Sequence, residues 1–380
     1  MSRQRLDVRE KGDRPHLPER PAGCFAQMGT VPFFRLGLLF LAMGLVLVGR
    51  AARAGADAWA SHGPTPGGKV VLQVASAENE DPAVAGKEAA EALQKAMQGA
   101  PLKAVVISEC YEGKDAKEKL LAALASVLPK QILLGGATYG SFTQSGCTDA
   151  DSVCLLGIGG DGVAVSAALV TGLGTAKLTF DDNRPLIESR LREAGAKLAG
   201  KLQRSRRDRL LILIPDAHSP KNQPLVEGVQ KVVGPQFPIT GGSANKNEGQ
   251  TFVYFSGRAY EDSAVALMLA GDFHVALAGR QAKDNEAVIA TAGQSAAEAL
   301  AASKGQPLAA LAFNCAGRRS KLKRMEDELA AIQKSLGNEL PLFGCYCAGE
   351  IGPVDTTEEK KPGVLSGGSG WHLMFTIIGK

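Results

Sequence analysis

The 380-residue chain contains 45% hydrophobic residues, which is enough for about two domains with sizeable cores. Its formal net charge of +4 is concentrated at the amino terminus, where residues 1–54 carry nine Lys and Arg against four Asp and Glu. The 34 basic and 35 acidic side chains of residues 55–380 nearly cancel. A near-neutral body lacks the positive surface that a phosphate backbone requires, so we predict no nucleic-acid partner.

An apolar run near the amino terminus predicts export. Residues 36–49 are uninterrupted apolar residues, the length of a signal-peptide core and less than the roughly 20 residues of a membrane span. Arg35 precedes this run, and the sequence ARA at 52–54 follows it as a cleavage site. The sequence AWA at 58–60 is a second candidate for cleavage.

The start of the mature protein follows from this leader. Residues 1–27 are rich in Arg, Glu and Pro and lack periodicity, so we expect Met28 to be the true start. We predict a leader at 1–54, a linker at 55–68, a periplasmic or extracellular location, and no stable membrane span after processing. An uncleaved amino-terminal helix that anchors the protein is the alternative.

Beyond residue 68 the same order of elements occurs three times. Each copy contains a helical pattern, an apolar strand, a second helix and a second strand that contains a glycine. These glycines, Gly136, Gly242 and Gly344, are separated by 106 and 102 residues. The predicted helices span 82–97, 114–125, 185–202, 224–232, 286–303 and 321–336, and the predicted strands lie within 104–108, 130–140, 209–215, 236–244, 308–314 and 341–353.

Alternation of short apolar runs with helical patterns is typical of α/β proteins. Two further segments of β character, 153–173 and 251–271, lie between the copies and indicate mixed sheets. The sequence therefore predicts an α/β fold of mixed sheets flanked by helices, built from repeated βαβ-like units in two subdomains. Ligands of open α/β sheets bind at the carboxyl ends of the strands, where the three glycines are expected.

Three motifs occur in the order GGSA at 241–244, CAGR at 315–318 and GEIGP at 349–353. Together they resemble the FIST domain, a proposed small-ligand sensor module of bacterial signalling proteins. The resemblance implies a FIST N-terminal domain at 69–271 and a FIST C-terminal domain at 272–380. It also implies a sensory protein without enzymatic activity that binds amino acids or related metabolites. Because we expect no output domain in this chain, the signal would pass to a separate signalling protein.

Two charged residues of these motifs are candidates for ligand contacts. Arg318 and Glu350 each follow a predicted strand closely, so both can face one crevice. A guanidinium recognises a carboxylate with two parallel hydrogen bonds, and a carboxylate holds an amino group, which suits a zwitterion. A structural ion pair between the two residues is the alternative. The predicted ligand-binding set is Gly242, Ser243, Cys315, Arg318, Gly349 and Glu350.

The cysteines leave other functions open. Cys315 as a nucleophile, with Glu350 in acid–base work, would make the protein a hydrolase or transferase, although a buried and inert cysteine is the commoner case. A structural or assembly factor of the cell envelope is a third possibility. Cys345 and Cys347 share one strand face but lack metal-ligand spacing, so we predict no metal and no cofactor.

Cys147 and Cys154 are candidates for a disulfide, because they are close in sequence and export would place them in an oxidising compartment.

Asp216 and His218 directly follow the predicted strand at 209–215, where ligand sites of α/β sheets occur. We interpret residues 216–220 as a polar loop.

Export makes a direct prediction about the mature protein. Amino-terminal sequencing of the protein from its native cell should find a start near Gly55 or Ser61, since the candidate cleavage sites end at residues 54 and 60. A soluble cytoplasmic protein that retains residues 1–27 would contradict export.

Overall fold

The computed structural model describes residues 57–247, 250–356 and 360–380. The predicted leader, its apolar run at 36–49, the start at Met28 and the first cleavage site lie outside these ranges. Within the described residues, no helix combines the length and the apolar character that crossing a membrane requires.

The three predicted copies are three units of one design. Each unit runs strand, helix, strand, helix, strand and then, after an inserted hairpin, a last strand. The first unit consists of β2 (Val71–Glu78), α1 (Pro82–Ala96), β3 (Leu102–Glu109), α2 (Lys114–Val127), β4 (Leu133–Ala137), the hairpin β5 (Ser141–Thr143) and β6 (Gly146–Thr148), and β7 (Ser152–Gly159), and β1 (Ala58–Ala60) precedes it.

The second and third units repeat this order. The second unit contains β8 (Val163–Thr171), α3 (Phe180–Gly200), β9 (Asp208–Pro215), α4 (Asn222–Val233), β10 (Ile239–Gly242), β11 (Lys246–Asn247), β12 (Gln250–Thr251), β13 (Val253–Phe255), β14 (Arg258–Tyr260) and β15 (Ser263–Gly271). The third unit contains β16 (His274–Gln281), α5 (Asn285–Ala302), β17 (Pro307–Cys315), α6 (Ala316–Arg319), α7 (Met325–Leu336), β18 (Leu342–Cys347), β19 (Glu350–Gly352), β20 (Gly367–Ser369) and β21 (His372–Gly379). The predicted boundary after residue 271 falls between the second and third units.

Each unit forms the centre of one mixed sheet, which confirms the predicted fold class. The two strands joined by the second helical connection are parallel, namely β3 with β4, β9 with β10 and β17 with β18. Their other neighbours are antiparallel. The strand orders are β14-β13-β4-β3-β7-β2, β1-β8-β15-β9-β10-β19-β20 and β16-β21-β17-β18-β5-β6.

The linker prediction for residues 55–68 needs a correction. Ala58 to Ala60 form β1, which pairs with β8 in the register Ala58 with Ala168. Backbone pairing and partial burial of Trp59 against the core give this short segment a fixed place. Cleavage after residue 60 would remove β1 from its sheet, whereas cleavage after residue 54 would leave it in place.

The inserted hairpins connect the units in a ring. The β5–β6 hairpin of the first unit extends the third sheet, β13–β14 of the second unit extends the first sheet, and β19–β20 of the third unit extends the second sheet. Asn222 at the start of α4 fixes the last hairpin, because its Nδ2 donates to the carbonyls of Glu350 (3.1 Å) and Ser369 (2.9 Å). No sheet is complete without a neighbouring unit.

Apolar side chains form one inner core and three outer cores. The inner core contains residues from all three sheets, for example Val106, Ile212 and Leu311. Each outer core lies between one sheet and the helices of its own unit. The three sheets therefore share their inner faces, which places the carboxyl ends of the parallel strands near one another.

The repeated glycines allow close packing between units. A Cβ on Gly344 of the third unit would lie 2.2 Å from the ring of Phe142, which belongs to the hairpin of the first unit. A Cβ on Gly136 would lie 3.0 Å from Cγ2 of Ile214 in the second unit. Side chains of neighbouring units, rather than a ligand, occupy the space that these glycines provide.

Replacing Gly344 by Ala should therefore destabilise the protein. We expect a loss of about 1–3 kcal/mol in the free energy of unfolding, because the new methyl group overlaps the Phe142 ring. The matched control is Gly200→Ala at the end of α3, where a Cβ would meet nothing within 4 Å. Urea unfolding of both variants makes the comparison, and equal midpoints would contradict this packing.

Candidate functional site

The structure brings five of the six predicted ligand-binding residues together around the end of β10, because Cys315 hydrogen-bonds Glu350 there. Gly242 pairs with Glu350 across the β10–β19 ladder, and the Ser243 amide donates to the Gly349 carbonyl at 2.8 Å. The sequence motifs at 241–244 and 349–353 are therefore neighbours in space. All of these contacts are buried.

The space at this junction is too small for an amino acid. Gly242 and Ser243 line an internal cavity together with Cys345 and Cys347. The cavity offers about 10 Å³ to the centre of a water molecule, which is room for about one water. A Cβ on Gly242 would lie 2.4 Å from Sγ of Cys347, so packing between units fills this place as well.

Arg318 belongs to a structural network, which corrects its assignment as a ligand contact. Its side chain is fully buried, and its ion-pair partner is Glu328 on α7 at 3.0 Å, not Glu350. Its remaining hydrogen bonds go to Asn314 Oδ1 (2.8 Å), Thr291 Oγ1 (3.0 Å) and the carbonyl of Val288 (3.0 Å). These contacts use most of the donors of the guanidinium group, and a ligand carboxylate finds no opening there.

Glu350 is a buried carboxyl group with an unusual protonation state. One oxygen, Oε2, accepts from the amide of His372 at 3.0 Å, and the side chain of Cys315 also hydrogen-bonds the carboxyl group. Burial raises the pKa of Glu350 to about 8, although the His372 amide acts against the shift. The side chain is therefore largely protonated at neutral pH.

Cys315 does not have the environment of a nucleophile. Its Sγ accepts a hydrogen bond from the Trp371 amide at 3.2 Å. Burial raises the pKa of Cys315 to about 12, and the charge of Glu350 adds to the shift. The thiolate is the reactive form of a cysteine, so this thiol is suited to packing.

The predicted disulfide is absent from the structure. Cys147 lies on β6 in the third sheet, and Cys154 lies on β7 in the first sheet with its side chain in the inner core. Both are free thiols, as are the other cysteines of the described ranges. Proximity in sequence does not bring the two cysteines together, because the β5–β6 hairpin joins the third sheet while β7 stays in the first sheet.

Cys345 and Cys347 are also unbonded, with 3.6 Å between their sulfur atoms. The described residues contain no group of three side chains that could hold a metal ion.

The carboxyl ends of β3, β9 and β17 are equivalent positions with different electrostatics. At the end of β3, the buried carboxylate of Glu109 pairs with Lys117 at 3.0 Å and also accepts a hydrogen bond from the Tyr254 hydroxyl. After β17, the buried Arg318–Glu328 pair accepts a hydrogen bond from Tyr346 at 2.9 Å. Both of these strand ends are closed by a complete ion pair.

The end of β9 is open. Asp216 directly follows this strand, and among the described residues no lysine or arginine lies within ion-pair distance of its carboxylate, although Lys221 interacts with it electrostatically. It faces a cleft of about 620 Å³. The cleft is lined by Thr175, Ala176, Lys177, Phe180, Asp216, Ala217, His218, Ser219, Pro220, Lys221, Thr251, Glu261 and Asp262.

Hydrogen bonds fix the polar groups of this cleft. Asp216 Oδ2 accepts from the amide of Asp262 at 2.8 Å, and Asp216 also hydrogen-bonds the Thr251 side chain. Thr251 Oγ1 lies 3.4 Å from Nε2 of His218. Lys221 Nζ donates to the carbonyl of Thr175 at 2.6 Å. Burial raises the pKa of Asp216 to about 6, and the two backbone and hydroxyl hydrogen bonds limit the shift.

Asp216 and His218 follow a predicted strand, but residues 216–220 were interpreted from the sequence as a polar loop. The sequence feature that marks the cleft is the acidic residue Asp216 immediately after a buried strand. Thr251, Asp262 and Thr175 could not be found in this way, because the second sheet and its connections bring them in from distant parts of the chain.

The pKa of Glu350 predicts a pH dependence of stability. Between pH 4.5 and about 8 the unfolded chain ionises this carboxyl group while the folded protein retains the proton, so the free energy of unfolding falls as pH rises. Glu350→Gln removes this effect, and its stability relative to wild type should increase from pH 5 to pH 8. Glu88→Gln, an exposed substitution on α1, is the control. A difference between Glu350→Gln and wild type that does not change with pH, measured by urea unfolding, would rule out the shift.

Comparison with known proteins places this chain in a family. A model of the FIST N domain matches residues 104–295, and a model of the FIST C domain matches residues 243–353. No curated protein matches.

Cyanuric acid hydrolase from A. caulinodans is a similar solved structure, with 9% identity, a TM-score of 0.43, and coverage of 82% of this chain and 99% of that chain. A second cyanuric acid hydrolase structure has 10% identity, a TM-score of 0.42 and the same coverage. Because the FIST N match alone spans half of the sequence and the FIST C match extends it to residue 353, the protein belongs to the FIST domain family.

Proposed function

We propose that this FIST domain protein is an exported sensory protein that binds a small ligand bearing an ammonium group and a carboxylate, such as an amino acid or a related metabolite. The proposed site is the cleft at the end of β9, and Asp216 is its principal contact. The observation that carries the proposal is the carboxylate of Asp216, which faces an open cleft and has no lysine or arginine ion pair among the described residues, whereas its two counterparts at the other strand ends are held in buried ion pairs.

The chemistry of the cleft suits such a ligand. Its volume of about 620 Å³ lies within the usual range for small-molecule sites, about 300–1,000 Å³. The ammonium group meets Asp216 and the neighbouring Asp262, and the carboxylate meets Lys221, with Lys177 at the rim. Phe180 supplies apolar surface for a side chain. Opposite charges within one partly buried cleft give orientation as well as affinity.

The proposal contains no reaction. An enzyme that uses Cys315 and Glu350 is disfavoured, because burial raises the pKa of both groups and the adjacent cavity has room for about one water. A structural role at the cell envelope would leave the Asp216 cleft without a purpose. The signal is proposed to pass to a separate signalling protein.

Asp216→Asn tests the site. For an amino acid found by a thermal-shift screen, we expect the variant to bind at least about tenfold more weakly, since a buried charge contact is worth about 2–5 kcal/mol. Wild-type affinity should rise between pH 5 and pH 7 as Asp216 ionises through its pKa of about 6, and this dependence should disappear in the variant. Isothermal titration calorimetry measures both.

The control is Glu88→Gln, which removes one negative charge from the first unit and should bind like wild type. A hundredfold excess of ligand over Kd stabilises the folded state by about 2.7 kcal/mol, so the screen has a clear signal. Unchanged affinity in Asp216→Asn, or a full amino-acid panel without any binding, would refute the proposed site.

A further inference from the structure

A second cleft adjoins the first on the other side of the segment that follows β8. Its volume is about 380 Å³, and Arg190, Glu193 and Lys197 of α3 line it together with residues 170–174. Thr175, the next residue in the chain, lines the first cleft. The two clefts therefore share one short stretch of backbone.

Gly174 connects a charged residue of each cleft. Its amide donates to both carboxylate oxygens of Asp262, each at 2.9 Å, and its carbonyl accepts from Nη1 of Arg190 at 2.6 Å. Because both hydrogen bonds are made by the backbone of Gly174, the Asp262 carboxylate and the Arg190 guanidinium group are at most about 10 Å apart. The two clefts are thus within reach of one extended ligand.

The two clefts have opposite charge. The first contains Asp216, Glu261 and Asp262 against two lysines, a net of −1 when His218 is left out of the count. The second contains Arg190 and Lys197 against Glu193, a net of +1. In the described part of the chain, no carboxylate lies within ion-pair distance of Arg190, so its charge is available to a ligand.

We propose that the two clefts together bind a short peptide of two or three residues, with its amino terminus at Asp262 and the neighbouring Asp216 and its carboxyl terminus at Arg190 and Lys197. The proposal rests on the proposed function of the Asp216 cleft and specifies its ligand. An extended chain spans about 3.3–3.6 Å per residue, so two or three residues cover up to about 10 Å. A single amino acid presents its carboxylate to Lys221, where a peptide presents its first carbonyl.

Calorimetry with alanine, dialanine, trialanine and trialanine amide tests this assignment in wild type and in Arg190→Gln. We expect trialanine to bind at least tenfold more tightly than alanine. Arg190→Gln should weaken trialanine by about fivefold, the effect of an exposed ion pair, and should leave alanine and trialanine amide unchanged. Arg324→Gln is the control, because Arg324 is an exposed arginine of the third unit that lines neither cleft.

The outcomes separate the two proposals. If alanine binds as tightly as trialanine and Arg190→Gln changes neither, the peptide assignment is wrong and the Asp216 site stands. If trialanine is preferred but Arg190→Gln weakens its amide equally, the carboxyl terminus does not bind at Arg190 and the assignment is overturned. If wild type binds none of the four compounds and no amino acid of the screen, both proposals fail. Asp216→Asn should weaken the binding of every compound that wild type recognises by at least about tenfold.

Discussion

The exchange of hairpins between units is the constraint on which the rest of the structure depends. Because each sheet ends in strands from another unit, the three units must approach closely, and glycines at the parallel strands admit the side chains that make this contact. The shared inner core follows from this approach. So does the near-complete filling of the central junction, which leaves a cavity for about one water. The central junction therefore has no room for an amino acid.

At those strand ends, the energetics of buried charge distinguish the three units. A charge removed from water is costly unless it is paired and hydrogen-bonded, and Glu109 with Lys117 and Arg318 with Glu328 meet this condition. Asp216 instead remains partly hydrated, with its pKa raised to about 6 by burial. Two copies of the unit thus hold their charges in buried ion pairs, and the remaining copy leaves its carboxylate at the wall of a cleft.

The sequence was sufficient to predict the elements and their repetition, but not the connections between units. Helices and strands were found because periodicity and apolar runs are local signals, and the glycine spacing located the three copies. Pairing of the β5–β6 hairpin with β18 depends on contacts about two hundred residues apart, so no local pattern indicated it. The same lack of long-range information affected the predicted ligand contacts. Arg318 and Glu350 were assigned to one crevice because both lie in motifs, whereas the ion-pair partner of Arg318, Glu328, lies in an ordinary helical pattern.

The ring of exchanged hairpins also sets the order in which the chain can assemble. Phe142 belongs to an early hairpin, yet its partner Gly344 is made 202 residues later during synthesis. Until β18 exists, β5 and β6 have no sheet to join, and their unpaired backbone and the ring of Phe142 face solvent. The first and second units can begin to form in sequence, but the third sheet closes only when nearly the whole chain is present. Such long-range pairing slows folding and leaves a strand edge that can pair with other chains exposed until the last strands are made.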